Sequence, residues 1–117
     1  MAGNLGAEDR ERSLETMAAV LDDIALRGCT ITYLELADAI AMPGPQRIHR
    51  TTRLLEILMK RDAEAGRPLR SALAVSRVGG GLPAAGFFDR ARRLGLFDGR
   101  EPSRFHSELL RQLYCSE

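Results

Sequence analysis

The segment that most constrains the fold runs from residue 30 to residue 66 and reads TITYLELADAIAMPGPQRIHRTTRLLEILMKRDAEAG. Thr32 followed three residues later by Glu35 is a capping box, in which each side chain accepts a hydrogen bond from the other residue's backbone N–H. The box predicts a helix that starts at Tyr33. Because the Pro-Gly-Pro run after Met42 cannot continue a helix, the same pattern also predicts where this helix stops.

A second helix follows the turn and is predicted over residues 45–65. Gly44 is suited to cap this helix and Pro45 to fill its first position, where a missing N–H costs nothing. Apolar or small side chains recur every three or four residues and predict its buried face: Ile48, Thr51 or Thr52, Leu55, Leu58 and Met59. The opposite face carries Gln46, Arg47, His49, Arg50, Arg53 and Lys60.

Arginine and glutamine in the first turns of a second helix are typical of a recognition helix, because Arg reaches guanine edges or phosphates. The alternative is the ordinary solvated face of an amphipathic helix. The charge distribution favours the first interpretation. Residues 1–29 carry three Arg against six acidic residues, whereas residues 45–77 carry eight Lys or Arg against three acidic residues.

Length and composition predict one soluble domain. A chain of 117 residues can build a single modest core, and 44% hydrophobic with 28% charged residues is typical of a globular protein. No apolar run approaches the roughly 20 residues that span a bilayer, and no secretory signal is visible at the N-terminus. We therefore expect a cytoplasmic protein with a disordered segment at residues 1–7 and one domain at residues 8–114.

The remaining elements are predicted from similar signals and give a fold that is mainly α with a minimal β-sheet, a winged helix-turn-helix-like single domain. Before the helix pair, a helix is predicted from Glu8 to Arg27, stopped by Gly28, and an extended stretch at 30–32. After the pair, a strand is predicted at 72–78, for which helix is the alternative, and then a glycine turn at 79–81. A helix that follows Pro83 and ends near Leu94, and a last helix capped by Ser103, complete the chain. The sheet is expected to combine residues near 30–32, 72–77 and 82–83.

Nothing in the sequence predicts catalysis or a cofactor. Cys29 and Cys115 have no partners at metal-ligand spacing and are expected to be free thiols, of which Cys115 alone reacts quickly in the folded protein. His49 and His106 are expected at the surface or at helix ends. The glycine run lacks the spacing of a phosphate loop, and no nucleophile motif occurs, so the chain is predicted not to be an enzyme.

Two motifs resemble those of the alkylguanine-DNA alkyltransferases and the related alkyltransferase-like proteins. Residues 32–37, TYLELA, look like the TYGELA-type opening of that family's winged-helix domain. Residues 74–78, AVSRV, followed by glycines and a helix that ends in Leu94-Gly95, are similar to the family's PCHRV strand, glycine loop and closing helix. The resemblance covers about half of the chain.

The resemblance implies a winged helix-turn-helix that enters DNA by its second helix. It also implies that Tyr33 lies at the phosphate backbone and that Arg47 is a candidate for the arginine that this family inserts into the duplex. Val75 stands where the family has its reactive cysteine and Ser76 where it has its histidine, so alkyl transfer is excluded on this alignment.

Two functions are therefore expected from different classes. The first is a non-enzymatic protein that binds double-stranded DNA through Tyr33, Gln46, Arg47, His49, Arg50, Arg53 and Arg77. The alternative is a winged-helix-derived module for protein interaction or homodimerisation; neither reading involves a membrane or a small-molecule substrate. One exposed patch of Arg47, Arg50, Arg53 and Arg77 would favour DNA, and ion pairs from these residues to Glu8, Asp9 or Glu56 would favour the alternative.

Overall fold

The computed structural model describes the backbone of residues 2–78 and 80–115, and the side chains of those residues from Glu8 onward. These residues form five α-helices, a 3-10 turn and two very short strands. In order the elements are α1 Ala2–Leu26, β1 Ile31–Thr32, α2 Tyr33–Ala39, α3 Arg47–Glu64, the 3-10 turn Arg70–Leu73, β2 Ala74–Val75, α4 Ala85–Arg93 and α5 Pro102–Tyr114. The prediction of a mainly helical fold with a minimal sheet is confirmed.

Helix α1 starts at Ala2, earlier than the predicted Glu8. The predicted disorder of residues 1–7 falls on residues whose side chains lie outside the described part of the chain, and it stays a prediction. The helix ends at Leu26, one residue before the predicted end, and Gly28 terminates it as predicted. Gly28 has a φ of +66°, and the N–H of Cys29 reaches back to the carbonyl of Ile24 at 3.1 Å, which closes the helix in the way that a glycine after the last turn allows.

The capping box at the start of α2 is confirmed. The Thr32 hydroxyl accepts from the Glu35 N–H at 3.1 Å, and the Glu35 carboxylate accepts from the Thr32 N–H at 3.0 Å. At its other end α2 closes around Ala41, which adopts a φ of +53°. This closure uses the same hydrogen-bond pattern as the end of α1, with alanine where glycine is preferred.

Helix α3 begins later than predicted. Gln46, with a φ of +58°, is the N-cap residue, and the first hydrogen bond of the helix runs from the Arg50 N–H to the Gln46 carbonyl at 2.9 Å. The prediction of Gly44 as cap and Pro45 as first helical residue is therefore wrong, and the turn after α2 is longer than expected. The helix ends at Glu64, one residue before the predicted end.

The small sheet differs from the predicted one in its size. Ile31 pairs with Ala74 and Thr32 with Val75 in parallel register. Residues 72–73, the start of the predicted strand, instead belong to the 3-10 turn Arg70–Leu73, whose beginning is fixed by the buried Asp62 carboxylate that accepts from the Arg70 N–H at 3.0 Å. Residues 82–83 are not a strand, so the described residues contain no hairpin wing after α3.

The core lies between α1, α2, α3, the 3-10 turn and α5. Its most fully buried large apolar side chains are Met17, Leu21, Leu36, Met59, Leu69 and Leu73. His106 also lies in the core, only 4% exposed, where its Nε2 atom is 2.8 Å from the Ala72 carbonyl oxygen. Because a carbonyl can only accept, Nε2 carries the proton in this contact. The predicted surface or helix-end position of His106 is therefore wrong.

Within the described residues, no helix combines the length and the apolar character that crossing a membrane requires.

Candidate nucleic-acid interface

The first half of α3 presents a basic surface to solvent. Gln46, His49, Arg50, Arg53 and Lys60 are exposed, as predicted. Three of them, His49, Arg53 and Lys60, are separated by four and seven residues and so follow one line along the helix, which we call the basic row. The opposite side of α3 is buried and consists of Thr51, Leu54, Leu55, Leu58, Met59 and Asp62.

The charge of this surface is not balanced by its own helix. Residues 44–55 contain no Asp or Glu, and the first acidic residue of α3, Glu56, forms an ion pair with Arg90 of α4 at 3.3 Å. Within the described residues, neither His49 nor Arg53 has a hydrogen-bond or ion-pair partner on its side chain. These two side chains are therefore available to a negatively charged partner.

Arg47 is less available than the sequence predicted. Its guanidinium group pairs with the Asp38 carboxylate of α2, its Nε donates to the Met42 carbonyl at 2.9 Å, and the side chain is 36% exposed. Arginine next to the last carbonyls of a helix satisfies groups that have no partner within that helix. For Arg47 to be the arginine inserted into a duplex, these contacts to α2 must first break.

Arg50 is held at one point. Its Nη1 donates to the Pro43 carbonyl at 3.2 Å, and the residue is otherwise exposed. The contact fixes the direction of the side chain without neutralising its charge, because a carbonyl oxygen carries no formal charge.

Tyr33 connects two helices. Its hydroxyl oxygen accepts a hydrogen bond from the Ala84 N–H at 2.8 Å, immediately before α4 begins. Burial raises the pKa of Tyr33, and the hydrogen bond from Ala84 opposes that rise. The hydroxyl proton is not used in this contact, so Tyr33 can still donate to an acceptor such as a phosphate oxygen.

Arg77 lies away from α3 in the chain, in a tight turn between β2 and α4. The Ser76 N–H donates to the Leu82 carbonyl at 2.8 Å and closes this turn, in which Arg77 is exposed and Val78 is 94% exposed. No hydrogen bond or ion pair joins Arg77 to α3 among the described residues. Of the seven residues predicted to bind DNA, the structure thus places Gln46, Arg47, His49, Arg50 and Arg53 together, with Tyr33 and Arg77 on neighbouring elements.

The four arginines Arg47, Arg50, Arg53 and Arg77 match neither of the two expected arrangements completely. None of the four arginines pairs with Glu8, Asp9 or Glu56 in the part of the chain that the structure describes; Asp9 lies 3.9 Å from Arg12, and Glu56 pairs with Arg90. Arg50, Arg53 and Arg77 are exposed, but Arg47 is paired with Asp38. No sequence pattern indicated the contact between Arg47 and Asp38, because the two residues meet only through the turn between the helices.

Ile48 was predicted to face inward and does not. It is 47% exposed, although it precedes the buried Leu55 by seven residues and so lies on the same side of α3. The first turn of α3 therefore extends beyond the edge of the core. Leu34, in the first turn of α2, is also incompletely covered, with 43% of its surface exposed.

The cavity beneath Tyr33 is too small for a nucleobase. It is lined mainly by apolar groups of α3 and of the start of α4, and its volume is about 50 Å³. Sites for drug-sized ligands have roughly 300–1,000 Å³. Among the described residues, no group of three or more His, Cys, Asp or Glu side chains is placed to hold a metal ion. The candidate interface at α3 is therefore the exposed helix surface, and the cavity under Tyr33 is not part of it.

Comparison with protein-family models, with curated proteins and with solved structures gave no significant match.

Proposed function

We propose that this chain is a non-enzymatic DNA-binding protein that presents the first half of α3 to double-stranded DNA. The observation that carries the proposal is that His49, Arg50 and Arg53 are exposed and have no ion-pair partner among the described residues, on a segment, residues 44–55, that contains no Asp or Glu. Duplex DNA carries a dense line of phosphates, and neutralising them with arginine releases condensed counterions, which favours binding.

The geometry of the helix pair supports the same proposal. Helix α2 and the longer α3 are joined by a turn, as in a helix-turn-helix, where the N-terminal residues of the second helix meet the bases. We propose that the chain is a winged helix-turn-helix in which the wing is reduced to the Ser76–Leu82 turn. We place this activity in the cytoplasm. The protein would resemble the alkyltransferase-like proteins in binding DNA without transferring an alkyl group, because Val75 has no thiol.

The test is the affinity for a fluorescently labelled random-sequence duplex, measured by anisotropy as salt is raised from about 50 mM to about 200 mM. Affinity is expected to fall steeply with salt. Arg50→Ala and Arg53→Ala are each expected to reduce the slope of log affinity against log salt by about one unit, as removal of one phosphate contact does. Arg47→Ala is not suitable, because it also breaks the contacts to Asp38 and Met42.

Arg12→Ala is the matched control. Arg12 is an exposed arginine on α1, and its neighbour Glu11 pairs with Arg61 at 2.8 Å, which places this part of α1 beside the other end of α3. The variant is expected to keep the slope of the unmodified protein. Absence of binding at about 50 mM salt, or slopes that Arg50→Ala and Arg53→Ala leave unchanged, contradicts the proposal.

The alternative function, a protein-interaction or dimerisation module, is favoured by different observations. Arg47 is held by α2, and Leu34 and Ile48 leave apolar surface uncovered near the junction of α2 and α3. Sedimentation velocity over a range of protein concentrations tests self-association. A dimer that Ile48→Asp dissociates, in a protein without DNA affinity, would establish this alternative in its homodimer form.

A further inference from the structure

Arg47 and Arg50 lie side by side at the turn that precedes α3. Arg47 donates through Nε to the Met42 carbonyl at 2.9 Å. Arg50 donates through Nη1 to the carbonyl of the following residue, Pro43, at 3.2 Å. The two arginines are also three residues apart on α3, a spacing that makes them neighbours on the helix surface. Their guanidinium groups therefore form one positively charged site at the beginning of α3.

A single carboxylate forms an ion pair with this site in the part of the chain that the structure describes. It belongs to Asp38, which accepts from Nη2 of Arg47, and 62% of its side chain is exposed. Asp38 lies in the last turn of α2, where the helix dipole disfavours a negative charge, and that turn holds no basic residue. Arg47 therefore neutralises a carboxylate that has no counter-charge on its own helix.

The contact between Arg47 and Asp38 occupies the group that a DNA phosphate would need. A guanidinium group binds carboxylate and phosphate oxygens through the same N–H donors and in the same planar geometry. A phosphate that approaches Arg47 meets a positive charge that is already compensated, and it also meets the negative charge of Asp38. Binding of a phosphate at this position therefore requires Arg47 to exchange the carboxylate for the phosphate.

We infer that Asp38 is an autoinhibitory residue, which holds Arg47 in the free protein and weakens the binding of duplex DNA. This inference rests on the proposed function, because it concerns the same end of α3. It goes beyond that function in naming a residue that opposes binding. Phosphates carry no sequence information directly, so Asp38 lowers the affinity for every duplex to the same extent.

The experiment measures the affinity of Asp38→Asn for the labelled random-sequence duplex by anisotropy at about 100 mM salt. Asparagine keeps the size of the side chain and removes its charge. Affinity is expected to rise about fivefold, which corresponds to the roughly 1 kcal/mol at the upper end for an exposed ion pair. Asp23→Asn is the matched control. Asp23 is also exposed and paired with an arginine, Arg27 at 3.0 Å, but it lies on α1, and its variant is expected to bind like the unmodified protein.

Arg47→Gln separates the release of Arg47 from a simple loss of repulsion between Asp38 and DNA. Glutamine keeps much of the side-chain stem and removes the charge. When Asp38→Asn is added to Arg47→Gln, the affinity is expected to change less than about twofold, because Asp38 then has no arginine to hold. Thermal unfolding of the single and double variants gives the temperature at which all of them are fully folded, and binding is compared there.

The outcomes separate the inference from the function on which it rests. A gain of affinity in Asp38→Asn that disappears when Arg47 is replaced supports the inference. Duplex binding with the expected salt dependence, but with the same affinity in Asp38→Asn, overturns the inference and leaves the proposed function standing. An equal gain with and without the Arg47 side chain also overturns it, because the effect then does not pass through Arg47. No duplex binding by the unmodified protein or by Asp38→Asn at about 50 mM salt overturns both.

Discussion

Asp62 of α3 and Arg70 of the 3-10 turn form a buried ion pair. The Asp62 side chain has no exposure to solvent, and its carboxylate accepts from the Arg70 backbone N–H at 3.0 Å, from Nε at 3.2 Å and from Nη2 at 2.8 Å. Arg67 lies 3.4 Å from the same carboxylate, and Asp22 of α1 lies 3.4 Å from Arg70. The cluster therefore ties α1, α3 and the 3-10 turn together, and its hydrogen bonds raise the pKa of Arg70.

Asp62→Asn is predicted to destabilise the protein strongly, lowering the free energy of unfolding by about 3–5 kcal/mol. The amide removes the negative charge and leaves Arg70, with only 15% of its side chain exposed, without its main counter-charge. Urea denaturation measures the change. The control is Asp23→Asn, which breaks the exposed Asp23–Arg27 pair and should cost no more than about 1 kcal/mol. Equal losses of unfolding free energy in the two variants would show that the buried Asp62–Arg70 pair stabilises the fold no more than an exposed ion pair does.

Ala41→Gly is predicted to stabilise the protein by about 0.5–1 kcal/mol. Ala41 holds the left-handed conformation that closes α2, which costs an L-residue with a β-carbon about 1–2 kcal/mol, and glycine avoids this cost at the expense of some chain entropy. Thermal unfolding measures the change. Ala39→Gly, two residues earlier and within α2, should have the opposite sign, because glycine weakens a helix. A loss of stability in Ala41→Gly would be inconsistent with the conformation described.

Tyr33→Phe is predicted to lower stability by about 1 kcal/mol, because it leaves the Ala84 N–H without its acceptor. The same substitution removes the hydroxyl that would donate to a phosphate, and a displaced α4 would weaken DNA binding in a second way. Binding by this variant should therefore be compared at a temperature where both proteins are fully folded. An unchanged free energy of unfolding in urea would argue against the Tyr33–Ala84 hydrogen bond.

The ionisation of Tyr33 predicts a pH dependence. Its pKa is raised by burial in the folded protein, so on raising the pH the unfolded chain releases this proton first. The contribution of Tyr33 to stability is therefore complete below a pH of about 10, the ordinary pKa of tyrosine, and is lost as the pH rises through the higher folded value. Tyr33→Phe should flatten this decline in the free energy of unfolding. A decline of the same steepness in the variant would assign it to other groups.

Both cysteines are predicted to react in the folded protein. Cys29 and Cys115 are free thiols, which agrees with the sequence, but both are exposed, so the expectation that only Cys115 reacts quickly changes. A thiol reagent that produces a coloured product should count two thiols per chain without denaturant, and one in Cys29→Ser. A count of one in the unmodified native protein would mean that Cys29 is protected.

The parts of the fold that the sequence predicted depend on contacts between near neighbours. Thr32 and Glu35 specify the start of α2, and Gly28 specifies the end of α1, because the groups that bond there are within a few residues of one another. The 3-10 turn was missed because it depends on Asp62, which is buried against Arg70 and fixes the local backbone. Pairing over such a distance leaves no periodic signal in the chain.

In the candidate interface, too, the features that depend on near neighbours were predicted and those that depend on distant contacts were not. The exposure of His49, Arg50 and Arg53 follows from helical periodicity alone and was predicted. The ion pair between Arg47 and Asp38 depends on where α2 ends, and the exposure of Ile48 depends on how far α3 extends past the core. Those distances are set by the turn at residues 40–46, whose length and backbone conformation the sequence pattern did not predict.

The parallel pairing of β1 with β2 has a consequence for the order in which the chain folds. Antiparallel strands that follow each other in the chain can begin to pair at the short turn between them. Ile31, by contrast, can pair with Ala74 only after α2, α3 and the 3-10 turn have brought the two strands side by side. Closing that long a loop is an entropic cost that must be met before the pairing contributes anything. We therefore expect the two strands to join late, after the rate-limiting step, so that weakening their contact accelerates unfolding and leaves the folding rate almost unchanged.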